Sequence, residues 1–210
     1  MPGAISIGAI PDHLLGIGPI DSFAFRDDFI DANGTLLTNH LPGLYTWVNA
    51  LGDMTISSNE AGTDVDAACV LDTGISENVR MRTSRMVSND NFAGFIIRYS
   101  NSDNFIIAGA DGFTSRWAIW KNVAGGFTNI GTASDSDVPA LGADTILNFE
   151  VWCSSIDIAI YTNGIIRVKS TADSFNDDAT IVGLYSDVVN PTLTSWDDLY
   201  VYRISDGLNF

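Results

Sequence analysis

Residue types that favour helices or supply catalytic groups are scarce in this sequence. Its 210 residues include two histidines, two cysteines, two lysines and three glutamates. Glutamate and lysine are strong helix formers on protein surfaces, so their scarcity is unfavourable for helices. One histidine, His13, lies in a glycine-rich terminus and the other, His40, lies close to Pro42, so nothing in the sequence supports catalysis through histidine.

Positive charge is also scarce. The chain has ten lysines and arginines and 26 aspartates and glutamates, which gives a formal net charge of −16. Such a surface repels a phosphate backbone and an anionic membrane, so we expect neither nucleic acid nor a membrane as a partner. Aspartate, a residue typical of turns, carries most of the negative charge, which favours strands joined by loops.

Long hydrophobic runs are absent. No segment approaches the roughly 18 consecutive apolar residues that a membrane-spanning helix needs. The first lysine or arginine is Arg26, and glycine and proline interrupt the apolar residues before it. We therefore expect no secretory signal peptide, which begins with a charged region and continues with an unbroken apolar one.

The two cysteines, Cys69 and Cys153, both lie in apolar runs that resemble strands. Two arrangements are open: a pair of buried free thiols, or one disulfide. Cysteine is among the most frequently buried residue types, which favours the free thiols.

Residues 1–22 differ from the rest of the chain. Glycine and proline recur every few residues, so the segment has neither the spacing of an amphipathic helix nor the length of a strand. It predicts an extended arm, separate from a domain over residues 23–210. An arm this apolar is expected to bind its own domain or a partner through Ile5, Ile7, Ile10, Leu14, Leu15, Ile17 and Ile20.

From Phe23 onward, short apolar runs alternate with Asn, Asp and Gly, which is typical of strands and turns. In the run 93–99, alternation places Phe95, Ile97 and Tyr99 on one face, and Ile96 and Arg98 on the other.

In the run 116–121, Trp117 and Ile119 share one face, and Arg116, Ala118 and Trp120 share the opposite face. Asn163-Gly164 between two apolar runs is a strong hairpin signal. At least eight such strands, without a convincing amphipathic helix, predict an all-β sandwich or barrel.

The order of several segments resembles a known family, the concanavalin A-like (laminin G-like) jelly roll. These segments are FRDDF at 25–29, GTL at 34–36, Trp47, AGFIIRYSNSDNF at 93–105, NFEVWCSSIDIAIYTNGIIR at 148–167, VGLYS at 182–186 and WDDLYVY at 196–202. The resemblance implies two antiparallel sheets of about six or seven strands, packed face to face. In that family the opening strand pairs near the closing strand. The resemblance implies that the strand-end carboxylates of Asp27 and Asp28, and of Asp197 and Asp198, are structural, with Arg26 or Arg203 as partners.

The resemblance also defines a catalytic pattern that this sequence lacks. Glucanases of this fold carry Glu-x-Asp-x-x-Glu on one strand, because a retaining mechanism needs two carboxylates about 5 Å apart. Glu150 is followed by Val151, Trp152 and Cys153 instead. We therefore predict no catalytic residues and no enzymatic activity.

Aspartate clusters offer oxygen ligands for a hard cation such as Ca²⁺. None of them has the spacing of a calcium-binding loop, and aspartates in loops more often bond their own backbone. We therefore predict no metal site and no cofactor, with Ca²⁺ as an unsupported alternative. The clusters are Asp64 with Asp66, Asp135 with Asp137, Asp177 with Asp178, and Asp197 with Asp198.

Aromatic residues on the strands are candidates for binding a sugar, because the CH groups of a pyranose stack on a flat ring. Trp117 and Trp120 lie on opposite faces of one strand, so at most one of them is in the core. We expect Trp117 in the core. Trp120, Tyr99 and Arg98 are the candidates for contact with a glycan or another subunit.

These observations predict a non-catalytic structural protein of a tailed-bacteriophage particle. In this interpretation a capsid decoration (cement) or tail-associated protein, located in the virion, is anchored by its arm to a major capsid or tail protein. A homo-oligomer is expected. The alternative is a carbohydrate-binding module or a receptor-binding adhesin that contacts a glycan on a host cell surface.

Overall fold

The computed structural model describes residues 22–76, 78–88, 92–112, 116–133, 144–170, 174–187 and 194–204. The predicted arm, with its seven isoleucines and leucines, lies outside the described residues except for Ser22. Its separation from a domain over 23–210 therefore stays a prediction. No helix among the described residues has the length and apolar character that crossing a membrane requires.

The described residues form sixteen strands and one 3₁₀ turn, Leu37–Asn39. The strands are β1 (Ser22–Asp27), β2 (Thr35–Leu36), β3 (Val48–Leu51), β4 (Thr55–Ser57), β5 (Glu60–Thr63), β6 (Ala67–Asp72), β7 (Val79–Ser88), β8 (Phe92–Asn101), β9 (Asn104–Asp111), β10 (Arg116–Val123), β11 (Gly126–Ala133), β12 (Asp144–Ser154), β13 (Asp157–Thr162), β14 (Ile165–Ser170), β15 (Ile181–Asp187) and β16 (Thr194–Arg203).

All strand pairs are antiparallel, and the strands form two sheets. The larger has nine strands in the order β14-β13-β12-β7-β16-β5-β4-β2, with β1 paired to β16. The smaller has seven, in the order β11-β10-β9-β8-β15-β6-β3. The larger sheet has more strands than expected because β16 pairs with β5 through Thr194–Trp196 and then with β1 through Leu199–Arg203.

The predicted hairpins form where their turn residues indicate. Asn163 and Gly164 join β13 to β14 with φ angles of 50° and 74°. Positive φ at both central residues is the conformation of a type I′ turn, which matches the twist of the flanking strands. Ala124 and Gly125, with φ angles of 51° and 81°, join β10 to β11 in the same way.

The core between the two sheets is rich in aromatic rings. Trp117 is buried and stacks on Phe149 with ring centroids 5.8 Å apart and an interplanar angle of 16°. Phe149 also contacts Phe95 across the interior, at 4.9 Å between centroids. Ile119 lies in this core as well, whereas Ala118 and Trp120 lie on the outer face. Alternation therefore predicts the two faces of β10 correctly.

In β8 the predicted alternation is wrong beyond Ile97. Arg98 has a φ of 53°, and the pairing with β9 shifts register between Ile97 and Asn101. This bulge reverses the phase of the side chains. Tyr99 consequently joins Ile96 on the outer face, although the sequence pattern places it with Phe95 and Ile97.

The first and last strands of the domain pair with each other, as the family resemblance implies. Arg26 on β1 donates a hydrogen bond from Nη2 to Asp198 Oδ1 on β16 at 3.1 Å. The Arg26 guanidinium also lies over the Tyr200 ring, 5.3 Å from its centroid. Because both groups are partly exposed, this contact fixes geometry more than it contributes stability.

Asp27, next to Arg26, is buried and binds three donors. Its Oδ1 accepts hydrogen bonds from the Phe29 amide and from His40 Nε2, each at 2.8 Å, and its Oδ2 accepts one from Trp47 Nε1 at 2.8 Å. Trp47 is almost completely buried in the core between the sheets. The carboxylate therefore ties the irregular chain between β1 and β3 to the end of β1.

Replacing Asp27 by asparagine tests this anchor. The amide keeps the shape but presents its NH₂ group to at least one of the three donors, which leaves buried groups unsatisfied. We expect Asp27→Asn to lower the free energy of unfolding by about 2–4 kcal/mol in urea titrations. The control is Asp28→Asn, whose side chain is 44% exposed and for which we expect a change within about 0.5 kcal/mol. Equal stability of the two variants would contradict the assignment.

Cys69 and Cys153 are free thiols and both are buried, as the apolar runs predict. Burial raises the pKa of Cys69 to about 12. Burial also raises the pKa of Cys153. At neutral pH both groups are therefore protonated and weakly nucleophilic.

A thiol titration checks this state. Under native conditions at pH 8 we expect both cysteines to resist a soluble aromatic disulfide reagent, because neither thiolate is populated or accessible. After denaturation without a reductant, the same reagent should detect two thiols per chain. Detection of none after denaturation would indicate a disulfide instead.

Candidate functional site

The outer face of the seven-stranded sheet carries a second apolar cluster. Exposed faces of antiparallel sheets are usually polar, so an apolar outer face is a candidate contact surface. Ala50, Tyr99, Trp120 and Ile181 are partly buried against the cluster. We call it the outer cluster; its buried members are Ala68, Val70, Phe92, Ile96, Phe105, Ile107, Ala118 and Tyr185.

Aromatic contacts run across four strands of this outer face. Phe105 on β9 is buried, and its ring stacks against Tyr99 on β8 with centroids 6.0 Å apart. Phe105 also meets Phe127 on β11 edge to face at 5.9 Å, and Tyr185 on β15 at 6.1 Å. Tyr99 and Phe127 remain partly exposed. A buried ring thus holds two accessible rings in fixed positions.

A polar pocket opens beside Tyr99. It has a volume of about 270 Å³ and is lined by Tyr99, Ser100, Asn176, Asp178, Ala179, Thr180 and Ile181. Hydroxyl, amide and carboxylate groups therefore surround one aromatic ring. Burial, followed by the charge of Asp103, raises the pKa of Tyr99, so its phenol is protonated and able to donate at neutral pH.

Hydrogen bonds hold the loop that forms one wall of this pocket. Asn176 donates from Nδ2 to the carbonyl oxygens of Arg98, at 3.2 Å, and Asn104, at 3.3 Å. Thr180 donates from Oγ1 to Asp72 Oδ1 at 2.6 Å. The loop that forms this wall is therefore bonded to three strands, β6, β8 and β9.

Arg98 has a different position from the one expected. The sequence pattern places it on the outer face with Ile96, but its side chain is buried and its guanidinium donates to Ser155 O at 2.5 Å and Phe175 O at 3.3 Å. The bulge at Arg98 turns the side chain toward these loops. The structure thus places Arg98 behind the pocket, as a positioning residue, and not at its surface.

Trp120 lies on the outer face, half-buried against the outer cluster. One strand, β9, separates its strand β10 from the strand of Tyr99. The structure thus brings two of the three candidate residues, Tyr99 and Trp120, onto one face. Sequence reasoning did not identify the 174–180 segment as a pocket wall. It selected Asp177 with Asp178 only as a possible metal-binding pair, and the residues before Thr180 have no strand or helix pattern.

Glu150, the only glutamate on a long strand of the described chain, is not paired with a second carboxylate. It is buried, and its Oε2 accepts hydrogen bonds from Arg80 Nε at 3.0 Å and Trp152 Nε1 at 2.9 Å. Arg80 in turn lies over the Trp152 ring, 4.7 Å from its centroid. These contacts give Glu150 a structural role on the outer face of the nine-stranded sheet.

The described residues contain no group of three or more His, Cys, Asp or Glu side chains arranged to hold a metal ion. Asp135 and Asp137 lie outside them. Asp72, near the pocket, accepts hydrogen bonds from the Thr180 hydroxyl and the Gly74 amide, which lower its pKa. This is the turn-forming role expected for aspartate in loops.

No protein-family model and no curated protein sequence matches the chain. Solved structures do match, and they define the class: an antiparallel jelly-roll sandwich. The exoplasmic/lumenal domain of VIP36, in a form bound to Ca²⁺ and Man3GlcNAc, aligns over 91% of this chain and 93% of its own, with a TM-score of 0.59 and 8% identity.

Two other structures are similar over comparable lengths. β-Agarase B of Zobellia galactanivorans aligns over 89% of this chain and 95% of its own, with a TM-score of 0.57 and 10% identity. Domain 4 of AbnA, an extracellular arabinanase of Geobacillus stearothermophilus, in complex with arabinotriose, covers 87% and 93%, with a TM-score of 0.51 and 11% identity. The protein therefore has the concanavalin A-like fold, as the order of its sequence segments predicts.

Proposed function

We propose that this protein is a non-catalytic carbohydrate-binding module and that its site is the pocket beside Tyr99. The observation that carries the proposal is one accessible ring, fixed from behind by Phe105, at the edge of a polar pocket of about 270 Å³. Sugars require this combination, because their CH faces stack on aromatic rings while their hydroxyl groups bond polar side chains.

The polar groups of the pocket suit hydroxyl groups as ligands. Asp178 accepts hydrogen bonds, the Ser100 hydroxyl both donates and accepts, and the Tyr99 phenol donates. The Thr180 hydroxyl already donates to Asp72, so it accepts from a ligand. No titratable cation lines the pocket among the described residues, and the chain has a net charge of −16. We therefore infer a neutral glycan rather than a uronate or a sulfated sugar.

The similar structures support this proposal at the level of the class. VIP36 is bound to Man3GlcNAc, domain 4 of AbnA is bound to arabinotriose, and the third structure is a β-agarase. Because sequence identity is 8–11%, these ligands belong to those proteins, and fold alone does not assign one here. The assignment to a glycan rests on the pocket.

We propose that binding occurs without hydrolysis. Cleavage with retention needs two carboxylates about 5 Å apart, one of them a proton donor. Glu150 already accepts hydrogen bonds from Arg80 and Trp152, and Arg80 carries the compensating charge. Such a carboxylate is held in place by its donors, which does not suit a nucleophile or proton donor that must reach a substrate.

The test combines a screen of neutral oligosaccharides with titration calorimetry. Removing the stacking ring in Tyr99→Ala should weaken binding of the best ligand about five- to thirtyfold, since such a contact is worth about 1–2 kcal/mol. The matched control is Tyr200→Ala, a half-buried tyrosine on the nine-stranded sheet, which should bind like the parent. Titrations with Ca²⁺ and with a chelator show whether a cation takes part.

Two results would contradict the proposal. One is the absence of binding to every neutral oligosaccharide at millimolar concentration, with and without Ca²⁺. The other is a Tyr99→Ala variant that is folded, as judged by thermal unfolding, and retains the parent affinity.

A place in a virus particle is the second candidate, and the apolar composition of residues 1–22 is the observation that favours it. A receptor-binding virion protein would combine this role with the glycan pocket. We expect the chain in purified particles, which quantitative mass spectrometry measures as copies relative to the major shell protein. A ratio near one copy per copy of the major shell protein indicates a capsid decoration protein. A few copies per particle indicate a position in the tail or at a vertex. Absence from the particles would contradict the role.

A further inference from the structure

A second concave surface lies on the nine-stranded sheet, away from the proposed glycan pocket. It is a groove of about 600 Å³ between β1 and the segment 40–45. Its walls include residues 23–28 on one side and Leu41, Pro42 and Leu44 on the other. We call it the β1 groove.

Large apolar side chains around the β1 groove are unusually exposed. Leu44 is fully exposed at 100%, and Leu41, Ile30 and Phe23 are exposed at 68%, 64% and 58%. Single exposed apolar residues are ordinary on proteins, but several around one concavity mark a contact surface. Leaving them in water is unfavourable by about 25 cal/mol for each Å² that a partner would cover.

The strand that forms one wall, β1, is an edge strand of the described sheet. Among the described strands, β1 pairs with β16 alone. On the groove side, Tyr45 packs its ring against Phe25 at 4.7 Å and directs its hydroxyl to Ala24 O at 3.4 Å. An edge strand beside apolar side chains binds extended peptides well, because the backbone supplies hydrogen bonds and the side chains supply apolar contact.

We propose that the β1 groove binds the N-terminal segment of this chain, residues 1–21, from the same or a neighbouring copy. The segment leads directly into Ser22, one residue before Phe23 of the groove wall. It holds seven isoleucines and leucines and its glycines and prolines disfavour a helix, so it matches an apolar edge-strand site in both chemistry and shape.

Length also permits this arrangement. Twenty-one extended residues reach at most about 70 Å, whereas the six residues of β1 span about 20 Å. The segment is therefore long enough to return along its own β1 or to cross to a second copy. Apolar contact dominates in both cases, since the segment has only two aspartates and one histidine as ionisable side chains.

Cross-linking of the full chain tests the proposal. One variant carries Ser6→Cys, between Ile5 and Ile7, together with Asp28→Cys at the rim of the groove. The native cysteines are buried, so a short bismaleimide reacts selectively at the introduced thiols. The matched control combines Ser6→Cys with Asp103→Cys, an exposed aspartate in the turn between β8 and β9.

We expect a cross-linked yield about fivefold or more above the control, because docking raises the local concentration of one thiol near the other. A product with the mass of one chain indicates binding within a copy, and a product of twice that mass indicates exchange between copies; both support the proposal. Equal yields in the groove pair and the control pair would overturn it.

A third variant separates docking from chance proximity. Leu44→Asp, added to the groove pair, places a charge in the apolar wall and should reduce the yield to the control level. Leu44 is fully exposed, so its replacement should leave thermal unfolding unchanged. An undiminished yield in a folded Leu44→Asp variant would equally contradict the proposal. These outcomes do not depend on whether the protein binds a glycan.

Discussion

The buried carboxylate of Asp27 is the constraint on which one end of the sandwich depends. A buried charge is tolerated only where hydrogen bonds replace its lost hydration. Asp27 meets this condition with donors from Phe29, His40 and Trp47, which lie on three separate parts of an irregular stretch. The same contacts seat Trp47 in the core and hold the chain around His40 beside β1. Without this anchor, the stretch between β1 and β3 would have few fixed points, and the β1 groove would lose one wall.

A local backbone feature, the bulge at Arg98, has a comparable effect at the other sheet. Reversing the side-chain phase at one residue turns Arg98 inward and Tyr99 outward. Arg98 then bonds the carbonyl oxygens of Ser155 and Phe175, so two loops are held at the end of the sheet where Tyr99 is accessible. The pocket and the ring that borders it therefore have one common cause.

The sequence predicts much of the fold because strand alternation and turn residues can be recognised within a few neighbouring residues, and the order of the segments can be compared with a known family. The faces of Trp117 and Trp120, the Asn163-Gly164 hairpin and the pairing of the first strand with the last all follow from them. The face of Tyr99 cannot be predicted in this way, because a bulge inserts one residue and the alternation of residue types does not reveal it. Asp27 was likewise predicted only as a strand-end carboxylate, since its three donors come from 2 to 20 residues away and meet only in the folded chain. The pocket wall at 174–180 is defined by tertiary hydrogen bonds and has no pattern of its own.

The two proposed surfaces, the pocket beside Tyr99 and the β1 groove, would act together. A pocket of about 270 Å³ covers little of an oligosaccharide, and a single shallow site of this kind binds weakly. Linking several copies converts later binding events into local ones, so avidity exceeds the affinity of one site without any new contact. An apolar segment that docks in the β1 groove of a neighbour would provide such a link. The groove lies on the nine-stranded sheet, and the pocket lies at the ends of β8 and β15 in the seven-stranded sheet. Joining copies through the groove would therefore leave the pocket accessible. Under these two proposals, weak glycan binding by one chain and strong binding by an assembly would both follow from the same architecture.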